Sequence, residues 1–185
     1  MTTKIGLIVG SLRKDSYNRK VAETVKELFP EGYEADFIEI GELDHYNEDL
    51  DNGNPPQSYV DFRRALDEHD GFVFFTPEYN RAIPGVLKNA VDVGSRPYGE
   101  NKWTKKPVAV ASATMGSTGA MAANHMLRQT FVFTDMLPMQ QPEVYLSDMA
   151  NNIGEDGKVV ERTREFLQAF VDAYVEHVKL ITGKN

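Results

Sequence analysis

The first stretch with the makings of a binding site is Gly10-Ser11-Leu12-Arg13-Lys14-Asp15-Ser16-Tyr17-Asn18, which gathers hydroxyls, an amide and a guanidinium in one short span. It follows an apolar run at residues 5–9 and precedes a helical pattern, so it forms a strand-to-helix turn. Backbone N–H groups at a helix N-terminus are unpaired and carry the positive end of the helix dipole, and both properties favour an anion. Ser11, Ser16 and Asn18 can add neutral hydrogen bonds and Arg13 a charge-assisted one, a combination suited to phosphate. Taken alone, the same residues fit equally well a helix capped by Ser16 with Arg13 as a solvated surface charge. The loop lacks the Gly-Lys-Ser/Thr ending of a nucleoside triphosphate loop and the glycine spacing of a dinucleotide fingerprint, so neither ligand is indicated.

Two further loops share this character. Thr76-Pro77-Glu78-Tyr79-Asn80-Arg81-Ala82-Ile83-Pro84-Gly85 holds two prolines that stiffen it, which suits fixing backbone amides around a planar ring system, with Tyr79 available to stack or pack. The alternative is an ordinary connection in which Pro84 only opens the next helix. Thr114-Met115-Gly116-Ser117-Thr118-Gly119 has little side-chain bulk apart from Met115, so backbone can approach a ligand edge closely. A plain flexible turn would look the same.

These loops need elements to hold them. Residues 5–9, 35–40 and 108–111 read as short buried strands, and Gly71 to Thr76, with Phe72, Val73, Phe74 and Phe75 in succession, as a central strand covered on both faces. A further strand is expected near Val144. Between them fall helical patterns: Val21, Ala22, Val25, Leu28 and Phe29; Val60, Ala65 and Leu66; Val86, Leu87, Ala90, Val91 and Val93; and residues 120–133. A last helix presents Leu167, Phe170, Val171, Tyr174, Val178 and Ile181 on one face and should cover the sheet. Alternation of strands and helices over 185 residues predicts one α/β domain, residues 1–185, with a five-stranded parallel, doubly wound, flavodoxin-like sheet in the order 2-1-3-4-5. In such a sheet the ligand crevice lies beyond the strand C-termini at the switch between the first and third strands, and the three unusual loops fall there. A phospho-acceptor receiver shares this fold, but its first strand should end near an acidic pair, and here it ends at Gly10-Ser11.

Composition narrows the chemistry. With no cysteine there is no disulfide, thiolate nucleophile or sulfur-ligated metal, so redox chemistry requires a borrowed cofactor. The net charge of -8 argues against nucleic acid and anionic membranes as partners and points to small molecules. His45, His69, His125 and His177 are far apart without paired ligand spacing, so no metal site is expected. The acidic connector at residues 44–57, with Glu48, Asp49 and Asp51, reads as a solvated loop. Trp103, beside Lys102, Lys105 and Lys106, reads as packing or a subunit contact, and Met115, Met121 and Met126 as core filling. The N-terminus runs Met-Thr-Thr-Lys straight into a strand, so a cytoplasmic location is expected.

Gly10-Ser11-Leu12-Arg13 with Ser16 and Asn18, Pro77-Glu78-Tyr79-Asn80 running into Ile83-Pro84-Gly85, and Leu87-Lys88-Asn89-Ala90-Val91-Asp92 resemble the NADPH-dependent FMN reductase family, which includes quinone, azo-dye and chromate reductases. The resemblance extends over residues 4–146. It implies non-covalent FMN, NADPH or NADH as co-substrate, and a homodimer or homotetramer. The acceptor it implies is small: a quinone, azo compound, free flavin or metal oxyanion. It places the flavin phosphate on Ser11, Arg13, Ser16 and Asn18, the ring-contacting loop on Pro77, Glu78, Tyr79 and Asn80, and the second ring-side loop on Thr114, Gly116 and Ser117. Ala82 and Thr114 stand where family members commonly carry serine, which leaves the flavin environment and acceptor preference open. Because flavin carries the chemistry, no side-chain acid, base or nucleophile is demanded and no catalytic residue is assigned. The rivals are a flavodoxin-like electron carrier without NAD(P)H activity, whose usual Gly-Asn-Thr phosphate loop is missing, and a module in which FMN only stabilises the fold.

Overall fold

The run Phe72-Val73-Phe74-Phe75 leaves no face for solvent, and in the computed structural model, which describes residues 2–184, it lies mid-sheet with all four side chains fully buried. The elements in chain order are β1 (Thr3–Val9), α1 (Tyr17–Leu28), β2 (Tyr33–Phe37), α2 (Gln57–Asp67), β3 (Gly71–Thr76), α3 (Gly85–Gly94), β4 (Pro107–Ala113), α4 (Met121–Phe133), β5 (Leu137–Pro138), β6 (Val144–Leu146) and α5 (Glu161–Thr182). The strand order is β2-β1-β3-β4-β5, with β6 also on β4, and every pairing is parallel. The expected 2-1-3-4-5 winding is therefore present, with its fifth position divided between two short strands. Pro138 and Pro142 lack the backbone donors that one continuous strand there would need.

Side chains alternate across the sheet. Val73 and Phe75, with Ile5, Leu7 and Val9 of β1 and Ala109, Ala111 and Ala113 of β4, face α1 and α5. Phe72 and Phe74, with Ile8, Val108 and Val110, face α2, α3 and α4. The alanines of β4 let α5 lie close, and its Tyr174 hydroxyl reaches the carbonyl oxygens of Phe72 at 2.9 Å and Pro107 at 3.0 Å. Gly6 admits Phe72 and Ile38, since a Cβ there would sit 2.7 Å and 2.6 Å from their ring and methyl carbons.

The structure decides several expectations about individual residues, correcting some and choosing between alternatives in others. In α2 the buried face is Tyr59, Phe62 and Leu66, because the larger aromatics dominate the packing, and Val60 is exposed. Trp103 is wholly buried against Phe72, and its indole N–H donates to the Val91 carbonyl at 3.0 Å, so it is core and not a subunit contact. Met115, Met121 and Met126 lie on the surface, since they project from a loop and the outer face of α4. The acidic connector is the exposed loop expected, Glu48 and Asp49 included, but it is tied down at Asp51, to which Arg63 makes two bonds, at 2.8 and 2.6 Å, with both side chains nearly buried. Asn89 accepts from the Tyr46 N–H at 2.8 Å and donates to the Asp44 carbonyl at 3.0 Å, fixing the same segment to α3.

Candidate functional site

Because β1, β3 and β4 are neighbours, the loops leaving their C-terminal ends emerge side by side. Gly10 begins the first, its N–H bonded to the Phe75 carbonyl at 2.8 Å, and a Cβ there would meet Leu87 of α3 at 2.8 Å. From residue 11 to residue 18 no backbone N–H makes a short, well-aligned intramolecular hydrogen bond among the described residues, although Lys14 and Asp15 form a turn. Ser16 is the N-cap of α1, its Oγ accepting from the Arg19 N–H at 3.2 Å, so the capping role is real. Its hydroxyl proton remains available. Arg13 is exposed and has no ion pair among the described residues, and Ser11 is half-buried beside it. Asn18 is buried, donates from its amide to the Ala113 carbonyl at 2.9 Å and leaves Oδ1 without a partner. That bond draws the α1 N-terminus against the end of β4. The unpaired Oδ1 is an acceptor, which suits a hydroxyl better than a phosphate oxygen.

After β3 the chain makes a two-residue hairpin. Tyr79 and Ala82 exchange both backbone bonds, at 3.0 and 2.9 Å, across Asn80 (φ 53°) and Arg81 (φ 64°). This is the left-handed pair that a tight hairpin turn requires, so turn geometry stiffens the loop as much as Pro77 does. Tyr79 and Asn80 are exposed, Pro77 and Glu78 half-buried. Glu78 turns toward α4, where its Oε2 accepts from the Ala123 N–H at 3.1 Å.

The third loop begins at Thr114, whose N–H and carbonyl are both engaged, with Leu146 at 3.0 Å and Met149 at 3.2 Å. Gly116 and Ser117 are exposed. The loop's far end rests on Ser112, whose Oγ reaches the Gly119 carbonyl at 2.7 Å, and on Asn124, whose amide donates to that Oγ at 3.2 Å. Gly119 has φ +60°, and a Cβ would lie 2.6 Å from the Tyr145 carbonyl carbon, so glycine is required there. The Tyr145 ring stacks on His125, and burial, then its hydrogen bond to Glu143, pushes its hydroxyl up to about 12. Ser112 and Asn124 are site-positioning residues that sequence reasoning missed. Their signal was a lone polar residue in an apolar strand and another on an apolar helix face.

The three loops thus converge at the β1–β3 switch point with their residues on one rim. A separate depression of about 660 Å³ borders the first loop on its β2 side, lined by Ser11, Arg13, Lys14, Phe37, Glu39 and Phe62. It touches neither ring-side loop. Free N–H groups at a helix start, a rigid hairpin and a low-bulk loop together fit a molecule with a phosphate, a polyol chain and a flat ring.

The profile described as NADPH-dependent FMN reductase matches residues 3–151, a span that contains all three loops. A quinone reductase of Pseudomonas putida is 50% identical over 176 residues, covering 95% of each chain. A 2-hydroxy-1,4-benzoquinone reductase of a Burkholderia species is 39% identical over 180 residues, covering 97% of this chain and 98% of the other. Among solved structures, the flavoenzyme NAD(P)H:(acceptor) oxidoreductase FerB of Paracoccus denitrificans superposes with a TM-score of 0.89 at 37% identity, over 97% and 99% of the two chains. Loops, winding order and likeness along the chain agree, and the chain belongs to the NADPH-dependent FMN reductase family.

Proposed function

We propose that the chain is an NAD(P)H-dependent oxidoreductase that binds one FMN non-covalently at this rim and passes electrons to a quinone. The observation that carries the reading is the run of N–H groups at residues 11–18 without a short intramolecular hydrogen bond, ending in the first turn of α1. Such a set suits the FMN phosphate, with Ser11, Ser16 and Arg13 adding donors. The buried Asn18 Oδ1 suits a ribityl hydroxyl. Pro77, Glu78, Tyr79 and Asn80 form one ring-side wall, and Thr114, Gly116 and Ser117 the other, by backbone approach. Bound FMN would supply hydride acceptance and release; the chain supplies position and electrostatics. Tyr79, exposed at the hairpin, offers an aromatic face to ring or acceptor.

Support for a quinone over an azo compound, free flavin or metal oxyanion comes from the names of the relatives. The flavodoxin-like carrier reading lacks any comparable support. The self-association expected of the chain has a candidate surface in Val132 (75% exposed) and Phe133 (85%) on α4. No helix among the described residues is long and apolar enough to cross a membrane. The test is steady-state NADPH and NADH oxidation by FMN-saturated protein with and without a benzoquinone. Quinone-dependent consumption is expected; a protein that binds FMN yet oxidises neither nucleotide would revive the carrier reading.

A further inference from the structure

α4 starts without a cap of its own. Its N-cap residue is Ala120, buried, at φ 59°, with no side-chain oxygen to accept from the first turn, and it follows Gly119 at φ 60°. The missing acceptor comes from 45 residues away: Glu78 Oε2 lies 3.1 Å from the Ala123 nitrogen. The Glu78 side chain is only 11% exposed, and its other oxygen lies 3.6 Å from Arg81 Nη1. A nearly buried carboxylate is held there by the helix N-terminal dipole and by the guanidinium of its own hairpin.

We propose that Glu78 is a positioning residue, tying the hairpin after β3 to the N-terminus of α4 and thereby fixing the width of the crevice between the two ring-side loops. The proposal rests on the reading of that crevice as a flavin site. The 114–119 loop is anchored to its own strand and helix, at its base through Thr114 and at its α4 end through Ser112 and Asn124, and Glu78 adds the tie to the opposite wall. A serine or aspartate cap inside α4 would have held the helix alone. A cap donated by the opposite wall couples the walls to each other. The resemblance gives Glu78 a place in the ring-contacting loop; its carboxylate points to the facing helix instead.

The experiment titrates wild-type, Glu78→Ala and Glu78→Gln apoproteins with FMN and with riboflavin, and follows amide exchange at Ala123 in the flavin-free proteins. Glu78→Ala should speed exchange at Ala123 and weaken FMN and riboflavin by the same factor, on the order of tenfold, since the phosphate contacts are remote from the change. Glu78→Gln keeps an acceptor oxygen at the same reach and should restore most of both. If the alanine variant fails to fold, Glu78→Asp, which keeps the charge but stops one methylene short, makes the same comparison. Wild-type exchange and wild-type affinities in Glu78→Ala overturn the proposal while leaving the flavin site intact. So does equal damage in the alanine and glutamine variants, which would mean that the charge acts directly. A wild-type protein that binds neither flavin removes the site reading itself, and the proposal with it.

Discussion

At the level of single residues, the division of labour between phosphate and ring makes separable predictions. Arg13 is exposed and has no ion pair among the described residues, so Arg13→Ala should leave the fold alone. It should weaken FMN by about 1.5–3 kcal/mol, the worth of a hydrogen bond to a charged group, and leave riboflavin unaffected. Parallel titrations with the two flavins check this, and equal losses for both would place Arg13 away from the phosphate. Tyr79→Ala should slow reduction by NADPH and reoxidation by quinone at full flavin occupancy while most FMN affinity remains. Stopped-flow traces that match wild type in both half-reactions would remove Tyr79 from the active site. The sequence made the donor types of residues 11–18 legible, because hydroxyls and guanidinium announce themselves. The cap from Ser16 to Arg19 was legible too, being local, but that Asn18 spends its amide on Ala113 was not, since it depends on how α1 meets β4.

Among the elements, the hairpin and the pinned connector carry the testable strain and the testable burial. Arg81 sits at φ 64°, a conformation that costs a non-glycine residue about 1–2 kcal/mol. Arg81→Gly should therefore raise stability by about 1 kcal/mol, and Arg81→Val lower it, as read by urea unfolding midpoints. The Asp51–Arg63 pair is nearly buried, so Asp51→Ala leaves an uncompensated guanidinium beside Val93 and should cost about 3–5 kcal/mol. A loss within a few tenths would show that the connector swings free. Element boundaries in the core were legible from apolar periodicity: Gly71–Thr76 is the strand the sequence indicated, to the residue. The connector's exposure was legible but its tie points were not, because Asp51 and Asn89 look like any polar residues until a distant arginine or backbone claims them. The hairpin was misread for the opposite reason: Pro77 and Pro84 drew the eye, while Asn80-Arg81 is a poor advertisement for a left-handed pair.

For the molecule as a whole, stability at high pH is tied to the seam between α5 and the sheet. Tyr174 is fully buried against two carbonyls, and burial raises its hydroxyl well above the ordinary 10.0. The folded state thus holds a proton that the unfolded chain releases near pH 10. The stabilisation is complete below that value and is lost as pH climbs above it. Tyrosinate absorbance from this residue should appear only with unfolding, and Tyr174→Phe should flatten the alkaline loss of stability. Early titration in the folded protein would contradict the seam.

The sheet's two margins carry a last consequence. One ends in β2, where Glu34 and Asp36 put charge on the outer strand; the other ends in strands of only two and three residues. Neither offers a long run of bare amides and carbonyls, so strand-by-strand accretion into fibrils has no template at either end. Contact between copies through helix flanks would leave both margins untouched, so the sheet is spared templated aggregation.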